Sequence, residues 1–128
     1  MPNYNHAPFL KERMESILAQ DYGDFEVILL DDASTDESVA VLRAYESDPR
    51  VKTPIVNEGN SGNTFLQWQR GLSLATGEYV WIAESDDVAE PTLLSRLIAA
   101  IEKEDAVLAF CHSLWIDSDG KPIARTVE

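Results

Sequence analysis

The stretch Gly77-Glu78-Tyr79-Val80-Trp81-Ile82-Ala83-Glu84-Ser85-Asp86-Asp87 decides how the rest of the chain is read. It opens on a glycine, runs through an apolar segment from Tyr79 to Ala83 and ends in Glu84, Asp86 and Asp87. A short apolar run between turn residues predicts a strand buried on both faces, as in a parallel sheet. Carboxylates at the carboxyl end of such a strand lie where open α/β sheets bind their ligands. Acids this close repel one another, and a hard divalent cation relieves the repulsion. The plain alternative for the cluster taken alone is a solvated acidic loop that caps the next helix.

Upstream, a second apolar run has the same design: Glu26 to Leu30 predicts a buried strand, and it ends in Asp31 and Asp32. Before it, Leu10, Met14, Ile17 and Leu18 recur at helical spacing, so a helix is expected over Pro8 to Gln20, with the loop Met1 to His6 ahead of it. After it, Ser34-Thr35-Asp36-Glu37 has the spacing of a capping box opening a helix with Val39, Leu42 and Tyr45 inward. Arg50 to Val56 is the next strand, and Pro54 places it at a sheet edge. The loop Asn57 to Gly62 precedes a helix over Asn63 to Ala75, whose expected core side is Phe65, Trp68, Leu72 and Ala75. Gly77 fits a left-handed position just past that helix. Beyond the acid cluster, a helix starts at Glu90-Pro91 with Leu93, Leu94, Leu97, Ile98 and Ile101 on one face, and Ala106 to Cys111 returns to strand character. Strands alternating with amphipathic helices specify an α/β fold with a parallel sheet and right-handed crossovers. The alternation starts on a helix, which calls for a strand ahead of Met1.

The chain has 128 residues, enough for one domain with a real core, here expected over 1–128. Its formal charge of −13 excludes a nucleic-acid partner, which needs clustered Lys and Arg, and docking of this chain on an anionic membrane. A phosphate-bearing ligand would need a metal ion between it and the acids. No apolar run approaches the ~20 residues that span a bilayer, and no signal peptide is visible, so the expected setting is cytoplasmic. The single Cys111 is expected as a buried apolar residue. His6 stands in a loop open to a ligand role, and His112 at a strand end.

These residues resemble family 2 glycosyltransferases. The resemblance rests on Pro2-x-Tyr4-Asn5 before a helix, Val27 to Asp32 followed by Ala33-Ser34-Thr35-Asp36, Asn57-x-Gly59-Asn60-x-Gly62, Ala75-x-Gly77-Glu78-Tyr79, and Glu84-x-Asp86-Asp87. Each motif is weak alone; their order across nearly the whole chain is a strong signal. The resemblance implies a Rossmann-like α/β/α sandwich of the GT-A type with a mainly parallel sheet, lacking the family's first strand and its acceptor-binding half. It implies the donor-binding part of a metal-dependent, inverting enzyme that moves a sugar from a nucleotide-diphospho-sugar (UDP-, GDP- or dTDP-linked) to an acceptor in polysaccharide or glycan assembly. Pro2, Tyr4 and Asn5 would line the nucleoside pocket, and Asp31 or Asp32 would accept from base or ribose. Asn60, Gly62, Glu84 and Ser85 complete the donor-binding set. Asp86 and Asp87 would hold Mn²⁺ or Mg²⁺ on the diphosphate.

The chain departs from the family in three places. Glu84 stands where the first Asp of a DxD motif is usual. Gln67-Trp68-Gln69-Arg70 occupies the region of a frequent Arg-Asn pair, with Trp68 expected in the core and Arg70 supplying the charge. The catalytic base is expected beyond Glu128, because Asp117 and Asp119 fit a surface turn. The absent first strand would leave an apolar slot with unpaired backbone groups, a place for a second copy to pair. In a longer enzyme, peripheral association with a membrane is expected. Two alternatives remain: a non-catalytic nucleotide-sugar-binding fragment, and a Mg²⁺-dependent phospho-acceptor module of the receiver type. The latter needs a late-strand Lys, and none lies between Ala106 and Ile116.

Overall fold

The structure is a computed structural model that describes residues 1–123; residues 124–128 of the expected domain span lie outside it. The chain divides into two compact units, Met1–Leu94 and the residues from Ser95 on.

In the first unit, helix α1 (Ala7–Leu18) supplies the largest share of the core. Leu10, Met14 and Ile17 follow one another at helical spacing and are buried with Val27, Leu29, Leu42, Val51 and Ala83. Each of the Leu, Ile, Met and Val side chains among them contributes about 1.5–3 kcal/mol of transfer free energy. Pro8 sits in the first turn, where its missing N–H costs nothing. The sheet is parallel, in the order β1 (Pro2–Asn3), β2 (Leu30–Asp31), β3 (Ile55–Val56). Pro2 pairs with Leu30 and Leu30 with Ile55; Asn3 pairs with Asp31 and Asp31 with Val56. A further bridge joins Val27 to Val51, so β2 and β3 run together below the ladder. β3 is an edge strand, as Pro54 predicts. Helix α2 (Ser38–Arg43) packs on α1, and helix α3 (Thr64–Leu74) packs on β1.

Several local expectations fail, each for a physical reason. Pro2 and Asn3 are strand rather than loop, and they fill the place beside Leu30 and Asp31 where an open slot is expected. Ser34 forms no capping box, because its hydroxyl donates to Asp31 instead; α2 begins four residues later, and Glu37 at its N-cap makes no side-chain cap. The buried side of α3 is not the apolar one. Phe65 and Leu72 are exposed, whereas Gln67 is buried and Gly71 faces Leu30 so closely that a Cβ would lie 3.3 Å from Leu30 Cδ1. The helix therefore lies close against the strand there, and a side chain at this position would press on Leu30. Gly77 is not in the left-handed region: α3 ends at Ala75 in an extended conformation, and Thr76 donates to the Glu26 carboxylate through N and Oγ1.

The quoted stretch itself joins no sheet ladder among the described residues. It alternates instead: Trp81 packs on the core, Ala83 and Ser85 are buried, and Val80 and Ile82 are exposed. A period of two with one covered face is a half-buried extended segment, so the two-sided burial read from its composition is not reached.

The second unit is described by itself. It holds most of helix α4 (Leu93–Glu104), none of whose residues is buried. The helix ends at Asp105, whose φ of 51° lies in the left-handed region while Ala106 N–H donates to the Ile101 carbonyl. Ala106 to Cys111 forms no strand, and Val107, Leu108, Phe110 and Cys111 are exposed, which overturns the expected strand and the buried thiol. Asp117 and Asp119 lie in a surface turn, as expected: Asp117 Oδ1 accepts from the N–H groups of Asp119 and Lys121, and an antiparallel bridge joins Ile116 to Pro122. No helix among the described residues is long and apolar enough to cross a membrane.

Candidate functional site

All three strands point the same way, so the loops that follow them gather at one edge of the sheet. These are Tyr4 to His6 after β1, Asp32 to Asp36 after β2, and Asn57 to Gly62 after β3. Two carboxylates hold them together. Asp31 is fully buried; its Oδ1 accepts from Ser34 N–H at 2.8 Å, and its Oδ2 accepts from Ser34 Oγ and Asn3 Nδ2, each at 2.7 Å. Asp32 is also buried, and its carboxylate accepts from Asn57 Nδ2 (2.7 Å), Gln67 Nε2 (2.9 Å), Ser61 Oγ (2.7 Å) and Ser61 N–H (2.9 Å and 3.0 Å). Burial alone would push the Asp32 carboxyl up; the hydrogen bonds from Ser61, Asn57 and Gln67 outweigh it and hold the group below the ordinary aspartate value. The oxygens expected to receive a nucleotide accept from protein donors, and the pair braces the loops.

Asn5 braces them from the other side. It adopts a φ of 56°, which asparagine tolerates, and its Oδ1 accepts from Thr35 N–H at 2.7 Å and Asp36 N–H at 3.3 Å. Asp36 in turn accepts from Ala7 N–H and Ser38 N–H, tying the amino ends of α1 and α2. Ala33 is held at a φ of 61°, a conformation that costs about 1–2 kcal/mol for a residue with a Cβ. Asn60 Nδ2 donates to the Asp32 carbonyl, and Gly62, at a φ of 67°, donates its N–H to Asn60 Oδ1. Arg70 Nη1 donates to Asn57 Oδ1, so its charge does stand at this loop. Pro2 is buried within β1, whereas the Tyr4 ring is exposed and free to take a flat partner.

The acid segment is fastened to these loops at two points. Trp68 Nε1 on α3 donates to Glu84 Oε1 at 2.9 Å, and His6 Nδ1 lies 2.7 Å from the buried Ser85 hydroxyl. Glu84 is therefore a fixed residue: its extra methylene, relative to Asp, brings the carboxylate to an indole. Trp68 is half-buried and belongs to the site rather than to the core cluster. Asp86 and Asp87 are exposed, and no hydrogen bond or ion pair of their side chains occurs among the described residues. Beneath the segment lies Arg13, almost wholly buried, its guanidinium 4.8 Å from the Trp81 ring centroid.

Sequence reasoning missed Asn3, Arg13, Ser61, Gln67 and the roles of His6, Trp68 and Ser85. One signal was available: Gln67 is a polar residue on the helix that follows the Asn57–Gly62 loop, where a side chain reaching back to a strand tip finds Asp32. The pairings of His6 and Trp68 had none, because they join residues 79 and 16 positions apart.

No three His, Cys, Asp or Glu side chains among the described residues come together as a metal cage. The free carboxylates of Asp86 and Asp87 do suit a hard cation that takes one or two protein oxygens and fills its other positions from phosphate and water, as Mg²⁺ does. An oxygen-only donor set also suits Mn²⁺.

Known proteins resemble this chain in sequence and fold. The family described as "Glycosyl transferase family 2" matches residues 1–127. The glycosyltransferase GlyG of Streptococcus pneumoniae is 36% identical over 122 residues, covering 94% of this chain and 40% of GlyG. The poly(ribitol-phosphate) beta-N-acetylglucosaminyltransferase TarS of Staphylococcus aureus is 27% identical over 124 residues, covering 95% of this chain and 22% of TarS. Crystal structures of S. aureus TarS 1-349 superpose at 30% identity over 81% of this chain, with a TM-score of 0.75 for the complex with UDP and 0.76 for that with UDP-GlcNAc. They match 31% and 30% of those chains. The fold is that of the TarS glycosyltransferase, in part, and the family generally uses a divalent metal. A chain that spans less than half of these relatives, but matches the family along nearly its whole length, belongs to glycosyl transferase family 2.

Proposed function

We propose that this chain is the donor-binding portion of an inverting, metal-dependent glycosyltransferase that takes a nucleotide-diphospho-sugar and serves glycan assembly. The observation that carries the reading is the acid segment: Glu84 and Ser85 are fastened by Trp68 and His6, while Asp86 and Asp87 are left open. That division of labour fixes the backbone of the free carboxylates without using them. The TarS complexes with UDP and UDP-GlcNAc supply the ligand class.

In this reading, the exposed Tyr4 ring and Asn5 present one wall of a nucleoside pocket, with Pro2 behind them. Asp31 and Asp32 keep the opposing loops in register, including Asn60 and Gly62. Asp86 and Asp87 would hold Mn²⁺ or Mg²⁺ against the diphosphate. The ion supplies charge stabilisation of a departing nucleoside diphosphate, a contribution of several kcal/mol on the usual scale. It also lets an anionic donor approach a chain of formal charge −13.

The test is a calorimetric titration of the chain with UDP-, GDP- and dTDP-sugars, with and without Mn²⁺. One of them should bind in a metal-dependent way, and Asp86→Ala should weaken that binding at least tenfold. Binding indifferent both to metal and to Asp86→Ala would refute the role given to the segment.

A further inference from the structure

Arg13 is 2% exposed, yet no hydrogen bond or ion pair of its side chain occurs among the described residues, and its Nε is buried without a partner. Such a charge costs several kcal/mol to bury unless something offsets it. Here two features do. The guanidinium lies over the Trp81 ring, a cation–π contact worth about 2 kcal/mol when desolvated. Burial lowers its pKa, but Asp87, Asp86 and Glu84, in that order, act against this. Trp81 and the three acids belong to one stretch of chain, so the stacked ring keeps the cation beneath the segment that carries the acids.

We propose that Arg13 is a positioning residue that serves as the internal countercharge of the acid segment and weakens its hold on a bare divalent cation. A cation that binds poorly alone binds best when a diphosphate brings its own oxygens and charge. The guanidinium thus favours the metal–diphosphate pair over the free metal. This deepens the proposed function and rests on its assignment of Asp86 and Asp87.

The sign follows from Coulomb's law. Removing one positive charge from near a divalent ion tightens its binding; for a separation on the order of 10 Å in a water-like dielectric the gain is about fourfold, and larger where the dielectric is lower. Arg13→Met keeps much of the volume and removes the charge; Arg13→Lys keeps the charge. Mn²⁺ alone is titrated into the wild-type chain and both variants, with thermal melts of each. Arg13→Met should bind Mn²⁺ at least threefold more tightly and melt no lower than wild type, because removing a buried ion without a direct partner in favour of an apolar side chain does not cost stability. Arg13→Lys should stay within about twofold of wild type. Equal or weaker Mn²⁺ binding by a folded Arg13→Met would overturn the proposal, as would an equal gain in Arg13→Lys. Arg13→Gln is the second neutral variant. If both neutral variants fail to fold while Arg13→Lys folds, the buried positive charge is structural and the proposal is lost. The two readings fail separately: no Mn²⁺ binding by any variant removes the metal assignment itself. Binding abolished by Asp86→Ala but unmoved by Arg13→Met removes only the countercharge.

Discussion

Replacing Asp32 with asparagine removes one charge from the point where the second and third loops and α3 meet. The carboxylate accepts from Asn57, Gln67 and both donors of Ser61. An amide oxygen in the Oδ1 position keeps the bonds from Asn57 and Gln67 but loses the ionic contribution to each. An amide nitrogen in the Oδ2 position leaves Ser61 N–H only its bond to Oδ1 and forces the Ser61 hydroxyl to reverse from donor to acceptor. Charge-assisted bonds are roughly twice as strong as neutral ones, so losing the charge weakens every contact the carboxylate makes. Relief of the buried charge offsets part of this, so the net expected loss is about 2–3 kcal/mol at pH 7. That is a large fraction of the stability of a small domain.

The same substitution carries a pH signature. The folded carboxyl of Asp32 lies below its unfolded value, so its contribution is complete above the unfolded pKa and is lost as pH falls through the folded one. The stability gap between wild type and Asp32→Asn should therefore shrink between pH 7 and pH 3. Glu26, Asp36 and Asp48 also have lowered values, but they are common to both proteins and cancel in the difference. Urea unfolding at the two pH values measures it. A gap below about 0.5 kcal/mol at pH 7, or one that does not narrow in acid, would refute the brace.

Two further substitutions test the backbone that carries the loops. At Ala33, whose φ is 61°, glycine should be neutral or stabilising by up to about 1 kcal/mol, while valine should cost about 2 kcal/mol in the same unfolding assay. A tolerated valine would mean that the loop is not held there. At Gly71, where a Cβ would meet Leu30 Cδ1 at 3.3 Å, alanine gains helix propensity against a tight contact and should stay within about 1 kcal/mol of wild type. Leucine should cost about 2–3 kcal/mol through overpacking; a neutral leucine would place the helix farther from the sheet.

What was legible in the sequence was whatever short-range pattern records. The apolar spacing of Leu10, Met14 and Ile17 identified α1 and its buried face. Pro54 marked an edge strand, and the ordered motifs from Pro2 to Asp87 indicated the family. The same kind of pattern misled where polar pairing overrode it. Phe65 and Leu72 look like the core side of α3, yet Gln67 is the residue that turns inward, because a buried carboxylate needs a donor more than the core needs another apolar chain. Ser34 has capping-box spacing, but Asp31 offers its hydroxyl a better-placed charged acceptor. The apolar composition of Tyr79 to Ala83 suggested two covered faces; strand pairing requires neighbours, and composition cannot say whether they are there.

The acid-tipped stretch shows the division most clearly. Sequence alone determined that Glu84, Asp86 and Asp87 would stand together at the end of an extended segment, because their spacing and the preceding apolar run are local properties. Only the tertiary structure decided which acids are free. Trp68 and His6 come from distant parts of the chain to fasten Glu84 and Ser85, and Arg13 sits beneath with its charge. Those partners are brought in by the packing of α1 and α3 against the sheet. A carboxylate's role depends on which donor lies within about 3 Å of it, a distance that no spacing along the chain encodes.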